Sequence, residues 1–140
     1  MNMFSEGRLK ADNWNFEITI NTSETDFLSS EIENEIHVLV SNGIYRSYYT
    51  DPFDVNGKSF IFKVYFENGD LTSLSLAPAN KPISWDNIEE KELVQDKIEN
   101  DKWLMSQYSI IAPAKYIWGT LESIMDKKTG SSDIVLQFNK

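Results

Sequence analysis

The chain has 140 residues, 41% of them hydrophobic and 13% aromatic, which is a folding composition and enough to bury a core without covalent staples. It has no cysteine, so disulfides, thiolate nucleophiles and thiolate metal sites are excluded together. With 22 Asp and Glu against 13 Lys and Arg, a net charge of −9 argues against nucleic acid and anionic membranes and favours a basic protein partner.

The N-terminal stretch from Met1 to Ala11 carries Arg8 and Lys10 but no apolar run, so it does not read as a signal peptide. No segment approaches the ~20 apolar residues of a membrane span. A cytoplasmic protein of one domain, residues 1–140, is expected, and the sequon at Asn21-Thr22-Ser23 is then chance.

Alternation at Phe16, Ile18 and Ile20 predicts a strand over Asn15–Ile20. Thr22 or Ser23 can cap a short helix running through Asp26, Phe27, Leu28 and Ile32. Ile36, Val38 and Val40 share one face of the next strand. Three Asn-Gly pairs, at 42–43, 56–57 and 68–69, then mark reversals, because both residues accept the positive φ angles of tight turns. Ile44–Thr50 is a strand that Pro52 ends, since proline donates nothing to a ladder. At the third pair, two loop lengths give opposite packings. A two-residue loop sets Phe62 opposite Ser75, whereas a three-residue loop with Gly69 bulged sets Phe62 opposite Leu74 and Phe60 opposite Leu76. Pattern favours the second.

After Pro78 and Pro82 the period changes. Ser84 is a cap for a long helix from Trp85 to Tyr108, with Leu93, Val94, Ile98, Leu104, Met105 and Tyr108 on its apolar stripe. Pro113 prevents continuation. Tyr116–Met125 and Ser132–Phe138 form a closing hairpin, with Asp126 accepting turn amides and Gly130 in the left-handed position. The expected architecture is α+β in two layers. A curved antiparallel sheet, a meander plus the C-terminal hairpin, is covered by one long helix and a short N-terminal helix. The helix stripe is expected to cover the face formed by Phe60, Phe62, Val64 and Phe66.

Chemistry is sparse. His37 is the one histidine, and no cysteine or nucleophile elbow accompanies it, so it reads as a strand histidine. Glu31, Glu33 and Glu35 cluster, as do Asp51 and Asp54, but no spacing sets up a carboxylate pair for glycoside hydrolysis. The segment Asp126–Gly130 lacks the oxygen ligands of a calcium loop. The six glycines fall in no phosphate-binding pattern. No catalytic residue, cofactor or metal is expected. Trp103 lies roughly opposite the stripe and near Trp85 in angle, and such aromatics are either interface anchors or wrapped by the proline loops. Tyr45, Tyr48 and Tyr49, with Arg46, form a second aromatic-polar patch, and Glu92 and Glu99 supply an acidic helix face.

The run Tyr116-Ile117-Trp118-Gly119, with Ser123, Asp126, Gly130-Ser131 and Ile134–Phe138, resembles the ends of small bacterial proteins with a Trp-Gly strand and a turn hairpin. Phe66–Leu71 and Trp103-Leu104 extend the similarity. Some proteins of that kind are suspected immunity proteins for contact-delivered toxins. The resemblance implies a protein-binding role and carries no active site. The leading expectation is a non-enzymatic domain that binds a basic protein through Trp103, Trp85, Tyr45, Tyr48, Tyr49, Glu92 and Glu99. It would be a monomer or an edge-paired homodimer. The alternatives are a carrier with an apolar pocket between helix and sheet, lined by Phe62, Val64, Ile98 and Met105, and a hydrolase using carboxylate pairs.

Overall fold

The computed structural model describes residues 2–79 and 90–139. Expectations for Pro82, Ser84, Trp85 and the first turn of the long helix lie outside the described residues. In chain order the elements are β1 (Arg8–Leu9), β2 (Ile18–Thr19), α1 (Glu24–Leu28), β3 (Ile36–Asn42), β4 (Tyr45–Thr50), β5 (Phe53–Val55) and β6 (Lys58–Glu67). They continue with β7 (Asp70–Pro78), α2 (Glu90–Tyr108), β8 (Ala114–Tyr116), β9 (Gly119–Asp126) and β10 (Ser131–Phe138). The protein is α+β. Its main sheet is antiparallel, in the order β3-β4-β6-β7-β10-β9-β8, with β5 also on β6, while β1 and β2 pair separately.

The turns follow from local chemistry. Asn56 and Gly57 have φ of 43° and 84°, and Asn68 and Gly69 have 52° and 83°, the pattern of type I′ hairpins. The first Asn-Gly pair behaves differently. Asn42 pairs with Tyr45, so Gly43 and Ile44 form the turn, with only Gly43 at positive φ. Ser23 caps α1 by accepting from the Asp26 amide at 3.0 Å. Lys128 donates its amide to Asp126 Oδ1 at 2.8 Å, and Gly130 takes φ 71° to close the β9–β10 turn.

The register at Asn68-Gly69 corrects the sequence expectation. The loop is the two-residue one, with Glu67 opposite Asp70 and Phe66 opposite Leu71. A bulge then absorbs Thr72 within β7, so Val64 meets Leu74 and Phe62 meets Leu76. The bulge belongs to Thr72, not Gly69. It restores the parity that keeps serines off the core, since an unbulged ladder would put Ser73 and Ser75 inside. A second bulge between Val38 and Val40 has the opposite consequence. Val38 stands opposite Tyr48 and Val40 opposite Ser47, so the two valines occupy different faces of β3.

The core lies against one face of the sheet. Phe60, Phe62, Val64, Phe66, Leu74, Leu76, Ile134 and Leu136 are all buried there. The layer over them is shared. Trp14 meets Phe62 edge-on at 5.0 Å, and Phe27 lies 5.8 Å from Phe66, so the N-terminal segment and α1 cover most of the phenylalanine face. The long helix takes the remainder, packing on β9 and β10 and setting Trp103 4.9 Å from Phe60. Trp118, in the Trp-Gly run, donates Nε1 to the Phe4 carbonyl at 2.9 Å and fastens the N-terminus to β9.

The expected helix stripe holds at Leu93, Leu104 and Tyr108 but is overturned at Val94, Ile98 and Met105. Val94, Ile98 and Met105 face solvent, whereas Leu93, Asp96, Asn100, Trp103 and Leu104 are buried. Those five recur at helical spacing, so the inward face is regular but partly polar. Asn100 Nδ2 donates to the Ser132 carbonyl at 2.9 Å, and Ser132 Oγ donates to the Leu93 carbonyl at 2.6 Å. The inward face thus buries one indole and pairs Asn100 Nδ2 and Ser132 Oγ, leaving Asn100 Oδ1 buried without a hydrogen-bond partner among the described residues.

Candidate functional site

Of the residues proposed from sequence, Trp103 is an anchor of the core. It is 7% exposed, and its Nε1 donates to the Asn56 carbonyl at 3.1 Å. Tyr48 is likewise interior. Its hydroxyl donates to Glu24 Oε2 at 2.5 Å, and Arg46 Nε reaches the same oxygen at 2.9 Å. Burial, and then the hydrogen bond to the Glu24 carboxylate, push the Tyr48 hydroxyl up to about 12. Neither residue is available to a partner, because each completes a hydrogen bond the interior requires. Glu99 is exposed on α2 and accepts from Gln95 Nε2 at 3.2 Å, and Glu92 is half-buried. Tyr45 and Tyr49 remain, and both lie on the face of the sheet opposite the core.

Strand registers organise that outer face into rows. One row runs His37, Tyr49, Lys63, Ser75, Val135 and Glu122 across six strands. The next runs Val40, Ser47, Tyr65, Ser73 and Gln137. This second row, with Tyr45 at its rim, forms the floor of a depression of about 670 Å3. The row itself holds hydroxyls, an amide and an aromatic ring, and Arg46 and Glu67 bring charge to the wall of the depression. A further charged pair lies one row away. Lys63 Nζ and Asp133 Oδ2 are 3.3 Å apart with little exposure, and Ser131 donates to the other Asp133 oxygen. Desolvation raises the Asp133 carboxyl above its ordinary range, with Lys63 and Ser131 opposing it. Tyr65 is raised as well, by burial first and then by the nearby Asp133.

The sheet ends in two unlike edges. β8 has three residues, follows Pro113 and carries Lys115, features that discourage pairing with another chain. β3 has seven residues, Ile-His-Val-Leu-Val-Ser-Asn, with no Lys, Arg, Asp or Glu. Apolar groups are exposed on both of its faces: Val38 is 64% exposed and Val40 51%, with Ile44 and Tyr45 at the hairpin tip 48% and 56%. The turn Glu33–Glu35 leads into it, Glu31 upstream accepts from the Asn15 amide, and His37 Nε2 contacts Asp51 Oδ1 at 2.8 Å beside it. Thus the β3–β4 hairpin pairs an uncharged apolar edge with an acidic flank.

Among the described residues no group of three His, Asp or Glu side chains is placed to hold a metal ion. No helix among them is long and apolar enough to cross a membrane. The expected apolar pocket lined by Phe62, Val64, Ile98 and Met105 does not form, since the first two are sealed in the core and the last two face solvent. Sequence reading found Tyr45 and Tyr49 but missed Val38, Val40 and Ile44, whose apolar character signals core until β3 is seen to be an edge. Compared with protein families, curated proteins and solved structures, the chain matches none of them.

Proposed function

We propose that this chain is a non-enzymatic, cytoplasmic protein-binding domain of the immunity type, which docks a basic partner on the β3–β4 hairpin. The observation that carries the reading is the exposure of Val38 and Val40 on the two faces of β3, an edge strand without a charged side chain, beside Ile44 in the turn and Tyr45 at the start of β4. Exposed aromatic and branched residues supply the desolvated centre of an interface, and an acidic rim steers a basic partner toward it. The resemblance of the Trp-Gly hairpin to suspected immunity proteins agrees with this role. The acidic face of α2, with Glu92 and Glu99, is the lesser surface, because its flanking aromatic Trp103 is turned inward.

A photo-crosslinking side chain at position 45 tests the reading against one at position 99. Capture of a basic protein from position 45 that is lost in Tyr45→Glu is the expected result. Equal yields from both positions, or none above background, would overturn it. A second reading rests on the outer-face depression: a small polar ligand seated between Tyr45 and Tyr65 against Ser47, Ser73 and Gln137, with Arg46 and Glu67 in the wall.

A further inference from the structure

We infer that the partner docks as an added β-strand, antiparallel to β3, and that its segment is an apolar alternation followed on the C-terminal side by Lys or Arg. This rests on the reading of the β3–β4 hairpin as the docking surface and specifies what occupies it.

Main-chain geometry identifies the groups that would pair. The Asp51 amide donates to the Glu35 carbonyl at 3.0 Å, in step with the register that sets Ile36 opposite Thr50. Antiparallel ladders alternate, so Glu35–Asp51 and His37–Tyr49 are the bonded positions, and Ile36 and Val38 turn their main-chain groups away from β4. The Ile36 amide is taken by the Glu33 carbonyl. The Ile36 carbonyl and both main-chain groups of Val38 face the outside of the sheet. The bulge after Val38 twists the strand beyond it and confines a regular ladder to Ile36–Val38.

Charge then sets polarity. A strand arriving antiparallel has its C-terminal end beside Ile36, next to the turn Glu33–Glu35 and to Asp51, which pairs with Glu35. Basic residues there meet Glu33, Glu35 and Asp51, while the preceding residues meet the uncharged run from His37 to Asn42. A side chain on the outer face near Val40 reaches the mouth of the depression between Tyr45 and Tyr65. A second copy of this chain is the poorer occupant. Its β3 brings no cation to the acidic cluster, and two chains of net charge −9 repel. Strand addition draws affinity from main-chain hydrogen bonds and specificity from alternate side chains.

The test uses the full chain and a fluorescein-labelled peptide, Val-Thr-Val-Thr-Val-Lys-Arg-Lys, with the reversed sequence as comparison. Anisotropy is expected to show the forward peptide binding roughly tenfold more tightly, a preference of the size one or two well-placed charge contacts give. Amide exchange at Val38 should slow on binding, and N-methylation of alternate peptide amides should abolish it. Val38→Pro removes only an outward amide and should abolish binding, while Glu33→Lys, an exposed change, should erase the preference for the forward peptide. Failure to bind, equal affinity for both orders, or unchanged Val38 exchange would overturn the inference. So would a dimer of the free protein, seen by sedimentation, with Val38 already protected. Binding that survives Val38→Pro and N-methylation while crosslinking at position 45 persists would sink strand addition alone and leave the hairpin as a docking surface. Loss of crosslinking at position 45 would remove that surface itself.

Discussion

Trp103 reaches across the core to Asn56: the indole Nε1 donates to the Asn56 carbonyl at 3.1 Å, fastening α2 to the turn between β5 and β6. Together with the Asn100–Ser132 and Ser132–Leu93 bonds, it holds one side of the helix toward the sheet. With Trp103 inward, Leu93 and Leu104 follow, and Val94, Ile98 and Met105 turn outward.

The helix therefore has an asymmetric response to substitution. Trp103→Ala is expected to cost about 3–5 kcal/mol, because it empties a site that meets Phe4, Phe60 and Tyr108. Met105→Ala is expected to change stability by less than about 0.5 kcal/mol. Urea unfolding of both variants decides the point, and equal losses would show that the helix is rotated.

Tyr48 gives a second test. Tyr48→Phe removes the hydroxyl that donates to Glu24 and leaves the buried carboxylate with Arg46 alone. A loss of about 2 kcal/mol is expected, as for a hydrogen bond to a charged group. In the parent protein burial, and then the hydrogen bond to Glu24, push the Tyr48 hydroxyl from the ordinary 10.0 up to about 12. Its contribution is complete below about pH 10 and declines as pH rises toward 12. Burial also raises Tyr65, Tyr108 and Tyr116, so ultraviolet absorbance of phenolate should show a late-titrating group of tyrosines that is smaller by one in Tyr48→Phe.

Removal of Lys63 should show the reverse of simple acid lability. Because Asp133 is raised by burial, its preference for the protonated form favours folding at acid pH and is lost as pH rises through the folded value. Lys63→Met withdraws the cation that offsets this cost. A loss of about 3–5 kcal/mol is expected near neutrality, shrinking in acid as Asp133 takes up its proton. Joining Asp133→Leu to Lys63→Met should restore most of the loss. Denaturation midpoints across pH would reveal a constant deficit if the pair contributes nothing.

Gly119 tolerates no side chain. Its φ is 151°, and a Cβ there would sit 2.0 Å from the Gln137 carbonyl oxygen on the neighbouring strand. Gly119→Ala should cost about 3 kcal/mol or more, through strain and a forced shift of β10 against β9. Gly43→Ala meets no atom and carries only the penalty of its positive φ, about 1 kcal/mol, so thermal melts should rank the two in that order.

Local chemistry made much of the fold legible. Asn56-Gly57, Asn68-Gly69 and Asp126–Gly130 each closed a hairpin where the turn residues stand, Pro52 ended β4, and Ser23 capped α1. The N-terminal strand was shorter than alternation implied, since only Ile18–Thr19 finds a partner, in β1. Of the candidate site, Tyr45 and Tyr49 were legible as strand aromatics. Val38 and Val40 were not, because an apolar alternation reads identically whether the strand is central or at an edge.

What residues within a few positions of each other decide was determined by the sequence alone: where the chain turns, which segments extend and which coil, and that no thiol chemistry exists. Rotation of α2, placement of the bulges at Leu39 and Thr72, and exposure of β3 required the tertiary structure. Each depends on contacts between residues far apart in the chain, such as Trp103 with Asn56 and Asn100 with Ser132. Hydrophobicity ranks what should be buried, but hydrogen-bond partners and free edges exist only once the strands have found their order.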